Sequence, residues 1–272
     1  MLRYRTGRNS KTISMILLNP TYAFLRPSLL HPEQLIDHGK PIHRGRNELY
    51  VTEIEGVRLC IKKYGTPNLF QRFVYRYFRK PKGTRAWQNT IMLREAGFGS
   101  PEPVAYIQND SLAGIDDCYY ICLYVEGRTL YHWGDSKTID ICREIERFAC
   151  FAAKLHEAGL MMSDFTPGNI LQTKEGFVLV DTNRMRKGFV SVERGLMNMA
   201  GLWMQPETAA MLARLYAQER GALPIPSYES LYAKYRKLFW CRFARRHGLG
   251  DNITHRDLEG SEYTYHFNSV IQ

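Results

Sequence analysis

Between Leu155 and Gly188 the chain reads LHEAGLMMSDFTPGNILQTKEGFVLVDTNRMRKG, and this stretch limits the possible folds more than any other. Upstream of it Ile141, Ile145, Phe148, Ala149, Ala152 and Leu155 recur at helical spacing, the pattern of a buried stripe on one long helix, which Gly159 ends. A polar loop follows, carrying Asp164 and, five residues on, Asn169. A short hydrophobic hairpin comes next, and Asp181 stands directly after its second strand, twelve residues beyond Asn169. Asp and Asn favour turns, and TPGN is good turn chemistry by itself, but a turn has no need of a second aspartate after a strand. Hard oxygen donors held at fixed distances are what a magnesium ion beside a phosphate requires.

The rest of the chain is able to carry such a loop. At 272 residues it is long enough for one large domain or for two lobes sharing a cleft. The six cysteines are scattered without a CxxC pair, mostly inside apolar runs, and read as reduced core residues of a cytoplasmic protein. A formal charge of +10 implies an anionic partner: a nucleotide, a nucleic acid, a phosphorylated glycolipid or a membrane surface. The opening MLRYRTGRNSKTISMILLNP imitates a signal peptide only superficially, since its apolar core is about six residues long and no small-residue cleavage site follows. No later run approaches the ~18 apolar residues that span a bilayer.

From Leu49, LYVTEIEGVRLCIKKY reads as two strands joined at Glu55-Gly56, with Lys62 ending the second. In NLFQRFVYRYFRKPKGTRAWQNTIMLREAGF, the apolar positions Phe70, Phe73, Val74, Tyr77 and Phe78, then Trp87, Ile91 and Leu93, predict two helices broken at Pro81 and Gly83. PEPVAYIQ and CYYICLYVEG read as further strands, the second stopping at Gly127, and beyond the helix and hairpin the chain is mostly helical to about His247. The expected fold class is α+β: a β-rich half of residues 15–130, a mostly helical half of 131–272, and a basic extension, 1–14, expected to be disordered.

Taken together, GRNELY, LCIKKY, NLFQRFVYRYFRK, GFGSPEPVAYI, LHEAG, DFTPGNIL and LVDTNRMRKG resemble the protein-kinase-like superfamily, and within it the bacterial lipopolysaccharide core kinases that phosphorylate Kdo or heptose. The resemblance runs from about Asn19 to Gly250. It implies a bilobal fold, with a small β-rich N-lobe, a mostly helical C-lobe and ATP held between them near Gly127. It also implies Mg²⁺-dependent transfer of the γ-phosphoryl group to a sugar hydroxyl, most of all that of Kdo. The acceptor would be a lipid A precursor glycolipid of lipopolysaccharide, at the cytoplasmic face of an anionic inner membrane. On the same resemblance Lys62 grips the ATP phosphates and Gly45 and Arg46, in HRGRNELY, stand in for the glycine-rich loop. Asp164 accepts the hydroxyl proton, and Asn169 and Asp181 ligate the metal. Thr166, where protein kinases carry a lysine, and DTN in place of D-F-G point away from a peptide acceptor.

The chain departs from the kinase pattern in two places. Met162 stands two residues before Asp164, where kinases commonly have histidine, which removes a hydrogen-bonding support. KGTRAWQN offers no glutamate to pair with Lys62, and Glu95 lies about two turns too late. These departures motivate an alternative, a catalytically silent pseudokinase that binds glycolipid or a protein partner; a soluble small-molecule kinase is a third reading. His156 reads as packing against or capping its helix. Two basic-aromatic segments stand out: one with Arg72, Arg76, Arg79, Lys80 and Lys82, the other running from Lys234 to Arg246. Each reads either as a helix with a solvated basic back, the second with Tyr232, Tyr235, Phe239 and Arg242 at helical spacing, or as a surface for anionic lipid. No nucleic-acid-binding motif accompanies them, so nucleic acid is not an expected partner.

Overall fold

The computed structural model describes residues 12–68, 80–111, 114–257 and 260–271. The chain forms two compact units: Met1–Glu95 with Ser100–Glu126 and Asp181–Asn183, and Ala96–Gly99 with Gly127–Val180 and Arg184–Gln272. The class is α+β, as the sequence predicts.

In the first unit, strands β1 (Thr12–Leu18), β2 (Lys40–His43), β3 (Asn47–Ile54), β4 (Val57–Tyr64), β5 (Pro103–Ser111) and β6 (Gly114–Leu123) form an antiparallel sheet in the order β1-β5-β6-β4-β3-β2. β1 takes in residues 12–14 of the expected disordered extension: Thr12 and Ile13 pair with Asp110 and Asn109 on β5, and Ser14 lies at a register shift before Met15. β3 and β4 meet at the predicted turn, where Glu55 and Gly56 take φ of 49° and 73°, the left-handed pair that matches the twist of the flanking strands. β4 continues two residues past Lys62, to Tyr64.

Alternation then sorts the side chains onto two faces. Leu59 and Ile61 are fully buried on one face with Ala105, Ile107 and Ile121, against Leu25 and Leu29 from short helical turns. Cys60 and Tyr64 lie on the other face with Tyr106, Tyr120 and Cys122. Burying one leucine or isoleucine contributes about 1.5–3 kcal/mol, so a one-residue slip of β4, which would turn out both residues, is strongly disfavoured.

The helix Lys82–Glu95 packs on the second face through Ala86 and Trp87. Of the break expected at Pro81 and Gly83, the first half stands: residues 80 and 81 are not helical and the helix begins at Lys82. Gly83 lies within the first turn, and the residue is small because a Cβ would overlap the Tyr106 ring. The preceding expected helix, with Phe70 to Phe78 and Arg72, Arg76 and Arg79, lies outside the described residues, as do residues 1–11.

In the second unit, the helix Thr138–Glu157 buries every residue of the predicted stripe, and His156 besides. It ends at Gly159, which takes φ 70°. Strands β7 (Arg128–Thr129), β8 (Leu160–Met162), β9 (Ile170–Gln172), β10 (Phe177–Leu179) and β11 (Met185–Lys187) pair as β10-β9-β7 and β11-β8. Helices Val192–Met199, Pro206–Glu219 and Ile225–His247 follow, then a hairpin of β12 (Asn252–Arg256) and β13 (Glu262–His266) that the sequence reading did not anticipate.

The fully buried residues of Ile225–His247 are Tyr232, Arg236 and Trp240; of the expected stripe Tyr232 is buried and Phe239 packs on the same core, whereas Arg242 is exposed. Arg236 turns inward because its Nη2 donates to the Met204 carbonyl at 2.6 Å and to the Tyr265 hydroxyl at 2.5 Å. A periodicity count that treats arginine as surface misplaces the stripe. Among the described residues, no helix is long and apolar enough to cross a membrane.

Candidate active site

Lys62 and Asp181 meet in the first unit, Nζ lying 2.7 Å from Oδ1. Strand alternation puts Lys62 on the same face as Cys60 and Tyr64, and its ammonium sits 5.4 Å from the centre of the Tyr64 ring. Asp181 arrives on the short segment Asp181–Asn183, which the helix Lys82–Glu95 holds. Arg85 Nη1 donates to the Asn183 carbonyl at 2.8 Å, and Asn89 Nδ2 to the Thr182 carbonyl at 2.7 Å. The Thr90 and Thr182 hydroxyls share a hydrogen bond at 2.9 Å, and Thr182 Oγ1 also donates to the Ala86 carbonyl at 3.2 Å.

The partner that Lys62 lacks on that helix is therefore Asp181 itself. The helix contributes no acid; it grips the segment that carries one. Asp181 also takes φ 55°, a left-handed conformation that costs a non-glycine residue of order 1–3 kcal/mol and persists only where its surroundings enforce it. The Asn183 side-chain amide donates to the same Oδ1 that faces Lys62.

Gly45 and Arg46 form the exposed turn between β2 and β3. Gly65, just past β4, runs so near the Arg46 carbonyl that a Cβ at Gly65 would overlap it, and the Gly65 N–H reaches Asn47 Oδ1 at 3.5 Å. This turn is thus held against the end of the strand that carries Lys62.

In the second unit, Asp164 and Asn169 are drawn together. Asn169 Nδ2 donates to the Asp164 carbonyl at 2.9 Å and to the Thr166 hydroxyl at 3.2 Å. These bonds use the amide nitrogen. Neither bond occupies Asn169 Oδ1 or the Asp164 carboxylate. Asp164 lies close enough to Tyr131 for its charge, after burial, to raise the phenol above its ordinary range. Tyr131 also packs on Gly168, where a Cβ would come within 2.6 Å of its hydroxyl.

The support missing from the Met162 side chain comes through its backbone. Asn198 Nδ2 donates to the Met162 carbonyl at 2.6 Å. Asn198 Oδ1 faces His156 Nε2 at 3.2 Å, and His156 Nδ1 faces the Tyr216 hydroxyl at 2.9 Å. Arg220 Nη1 donates to that hydroxyl at 2.8 Å, so the Tyr216 proton goes to Nδ1 and the imidazole proton sits on Nε2. Burial pushes His156 down to about 4, which keeps it neutral and the chain of donors intact. Gly195 makes room: a Cβ there would overlap the Tyr216 hydroxyl and approach His156 Nδ1. Sequence reasoning gave His156 a packing role and missed Asn198, Gly195 and Tyr216, which share no local pattern with it.

No protein-family model and no curated protein matches the chain. Solved structures do match, 1393 chains in all, so the fold is a widely used one. Among them is WaaP in complex with acyl carrier protein, with a TM-score of 0.52 and 16% identity, over 85% of this chain and 98% of that one. The chain has the fold of WaaP, which is the kinase-like fold that its motifs predict.

Proposed function

We propose that the chain is an ATP- and Mg²⁺-dependent kinase that transfers the γ-phosphoryl group to a sugar hydroxyl, that of Kdo in the inner core of lipopolysaccharide. The Lys62–Asp181 ion pair carries this reading, because it joins a rigid strand cation to a carboxylate held in a left-handed conformation. Phosphoryl transfer asks a protein for little more than positioning and charge. Lys62 supplies a point charge for phosphate oxygens, and it exchanges Asp181 for them when a nucleotide enters. The Asp181 carboxylate and Asn169 Oδ1 are the donor types that Mg²⁺ accepts beside waters and phosphate oxygens, and a metal held by them would neutralise charge on the transferring group. Asp164 takes the proton of the attacking hydroxyl. Gly45 and Arg46 approach the phosphates through backbone amides and one guanidinium.

The choice of Kdo rests on the motif resemblance, and the choice of a sugar over a peptide on Thr166 and DTN. Exposed Lys234, Lys237, Arg242, Arg245 and Arg246 on one helix support an anionic membrane surface, at the cytoplasmic face, as the place of work. WaaP was solved with an acyl carrier protein, so such a protein joins the lipid A precursor as a partner to be tested on this chain. The same ion pair favours one other reading: with Asp181 permanently held by Lys62, the chain is a silent kinase-like protein that binds glycolipid. Incubation with γ-labelled ATP and Kdo-bearing lipid A, followed by mass spectrometry, separates the two. Label on the sugar is expected; glycolipid binding with no Mg²⁺-dependent turnover of ATP would select the silent reading.

A further inference from the structure

Cys60 and Cys122 stand directly opposite each other on β4 and β6. Opposed residues of an antiparallel pair lie about 4.5 or 5.5 Å apart at Cα, and both separations fall inside the span of a disulfide. The Cys122 thiol reaches across the ladder, with Sγ 3.8 Å from the Cys60 carbonyl oxygen. Both side chains belong to the face that also holds Tyr64 and Tyr120, and Lys62↔Tyr120 is the next pair on that face. Cys60 is partly buried and Cys122 is buried.

We propose that Cys60 and Cys122 form a cross-strand dithiol that a low-molecular-weight disulfide oxidises to an intramolecular disulfide beside Lys62. The Cys60 thiolate attacks one sulfur of the reagent, forming a mixed disulfide and expelling one thiol. Cys122, deprotonated, then attacks the Cys60 sulfur and expels the second thiol. The protein loses two protons and two electrons, which the reagent takes up as two thiols.

The order of attack follows from the surroundings. A hydrogen bond with the Cys122 thiol, and secondarily the Lys62 ammonium, hold the Cys60 thiol below its ordinary range against the opposing effect of burial. Cys122 is held well above its ordinary range by its hydrogen bond with Cys60 and by burial, and Cys118, opposite Tyr64 on the same face, is pushed up to about 11 by burial, so neither makes the first attack. Cys142 and Cys150 lie on one helix eight residues apart, about 12 Å along its axis, too far to bridge.

The test treats the whole protein with oxidised glutathione, blocks free thiols with N-ethylmaleimide, digests without reduction and maps linked peptides. A Cys60–Cys122 pair lighter by two hydrogens, and lost on adding a dithiol reductant, is expected. Cys122→Ser should instead retain one glutathione on Cys60, since nothing remains to resolve the mixed disulfide. Linked pairs through other cysteines, glutathione adducts with no linked pair, or no reaction under conditions that oxidise a short dithiol peptide would each overturn the proposal. The wild-type map decides it even where the variant fails to fold.

Discussion

Asp181 is asked to do two things, to balance Lys62 and to present an oxygen to a cation, and substitutions separate it from Asp164 on that basis. Asp181→Ala should abolish Mg²⁺-dependent nucleotide binding, with Asn169→Ala tending the same way, whereas Asp164→Asn should lower turnover and leave nucleotide affinity nearly unchanged. Calorimetric titration with nucleotide, beside turnover, checks this; equal loss of affinity in both aspartate variants would contradict the assigned roles. His156 makes a prediction about pH. Its folded value of about 4 lies below the ordinary 6.5, so the unfolded chain binds the extra proton first as acid is added. The stability owed to the neutral imidazole is fully present above pH 6.5 and is lost as pH falls towards 4, at about 1.4 kcal/mol per unit. Urea unfolding should therefore show about 2 kcal/mol less stability at pH 5 than at pH 7 from this group, and His156→Gln should flatten that slope.

At the level of elements, what could be read from the sequence was what neighbours along the chain decide. The β3–β4 hairpin follows from alternating apolar residues and Glu55-Gly56, and the helix Thr138–Glu157 from its stripe and Gly159. The spacing of Asp164, Asn169 and Asp181 was equally plain, since one loop and one hairpin fix it. Gly83 was misread because its reason, the Tyr106 ring, is remote in sequence. The partner of Lys62 was sought on a helix, and the contact that supplies it depends on Arg85 and Asn89 gripping carbonyls nearly a hundred residues away. Gly195 gives this point a test. A helical glycine is normally improved by alanine, yet Gly195→Ala should destabilise the fold by about 1–3 kcal/mol, because the methyl group displaces Tyr216 from His156. Thermal unfolding measures the loss, and a gain in stability would show that the Tyr216–His156 bond is dispensable.

Over the whole molecule the formal charge is +10, and the helix Ile225–His247 carries exposed Lys234, Lys237, Arg242, Arg245 and Arg246. Each basic residue near an anionic bilayer contributes about 1 kcal/mol, so a few acting together hold a protein there reversibly. Binding to anionic vesicles at low ionic strength is expected, weakening as salt rises. Replacing Lys234, Arg242, Arg245 and Arg246 by glutamine should abolish it in a sedimentation assay; retention by the variant would leave those residues as solvated surface. The connectivity has a further consequence. Asp181–Asn183 packs with the sheet unit, although its neighbours on both sides, Val180 and Arg184, belong to the other. A gene cut after Glu126 would therefore yield a first fragment deprived of three residues that Lys62, Arg85, Asn89 and Thr90 bind. Expressed alone, residues 1–126 should be insoluble or poorly protected in amide exchange along Lys82–Glu95, and a supplied peptide spanning 178–186 should restore part of that protection. The two units are separate bodies by packing, but they cannot be inherited, shuffled or transplanted as separate pieces.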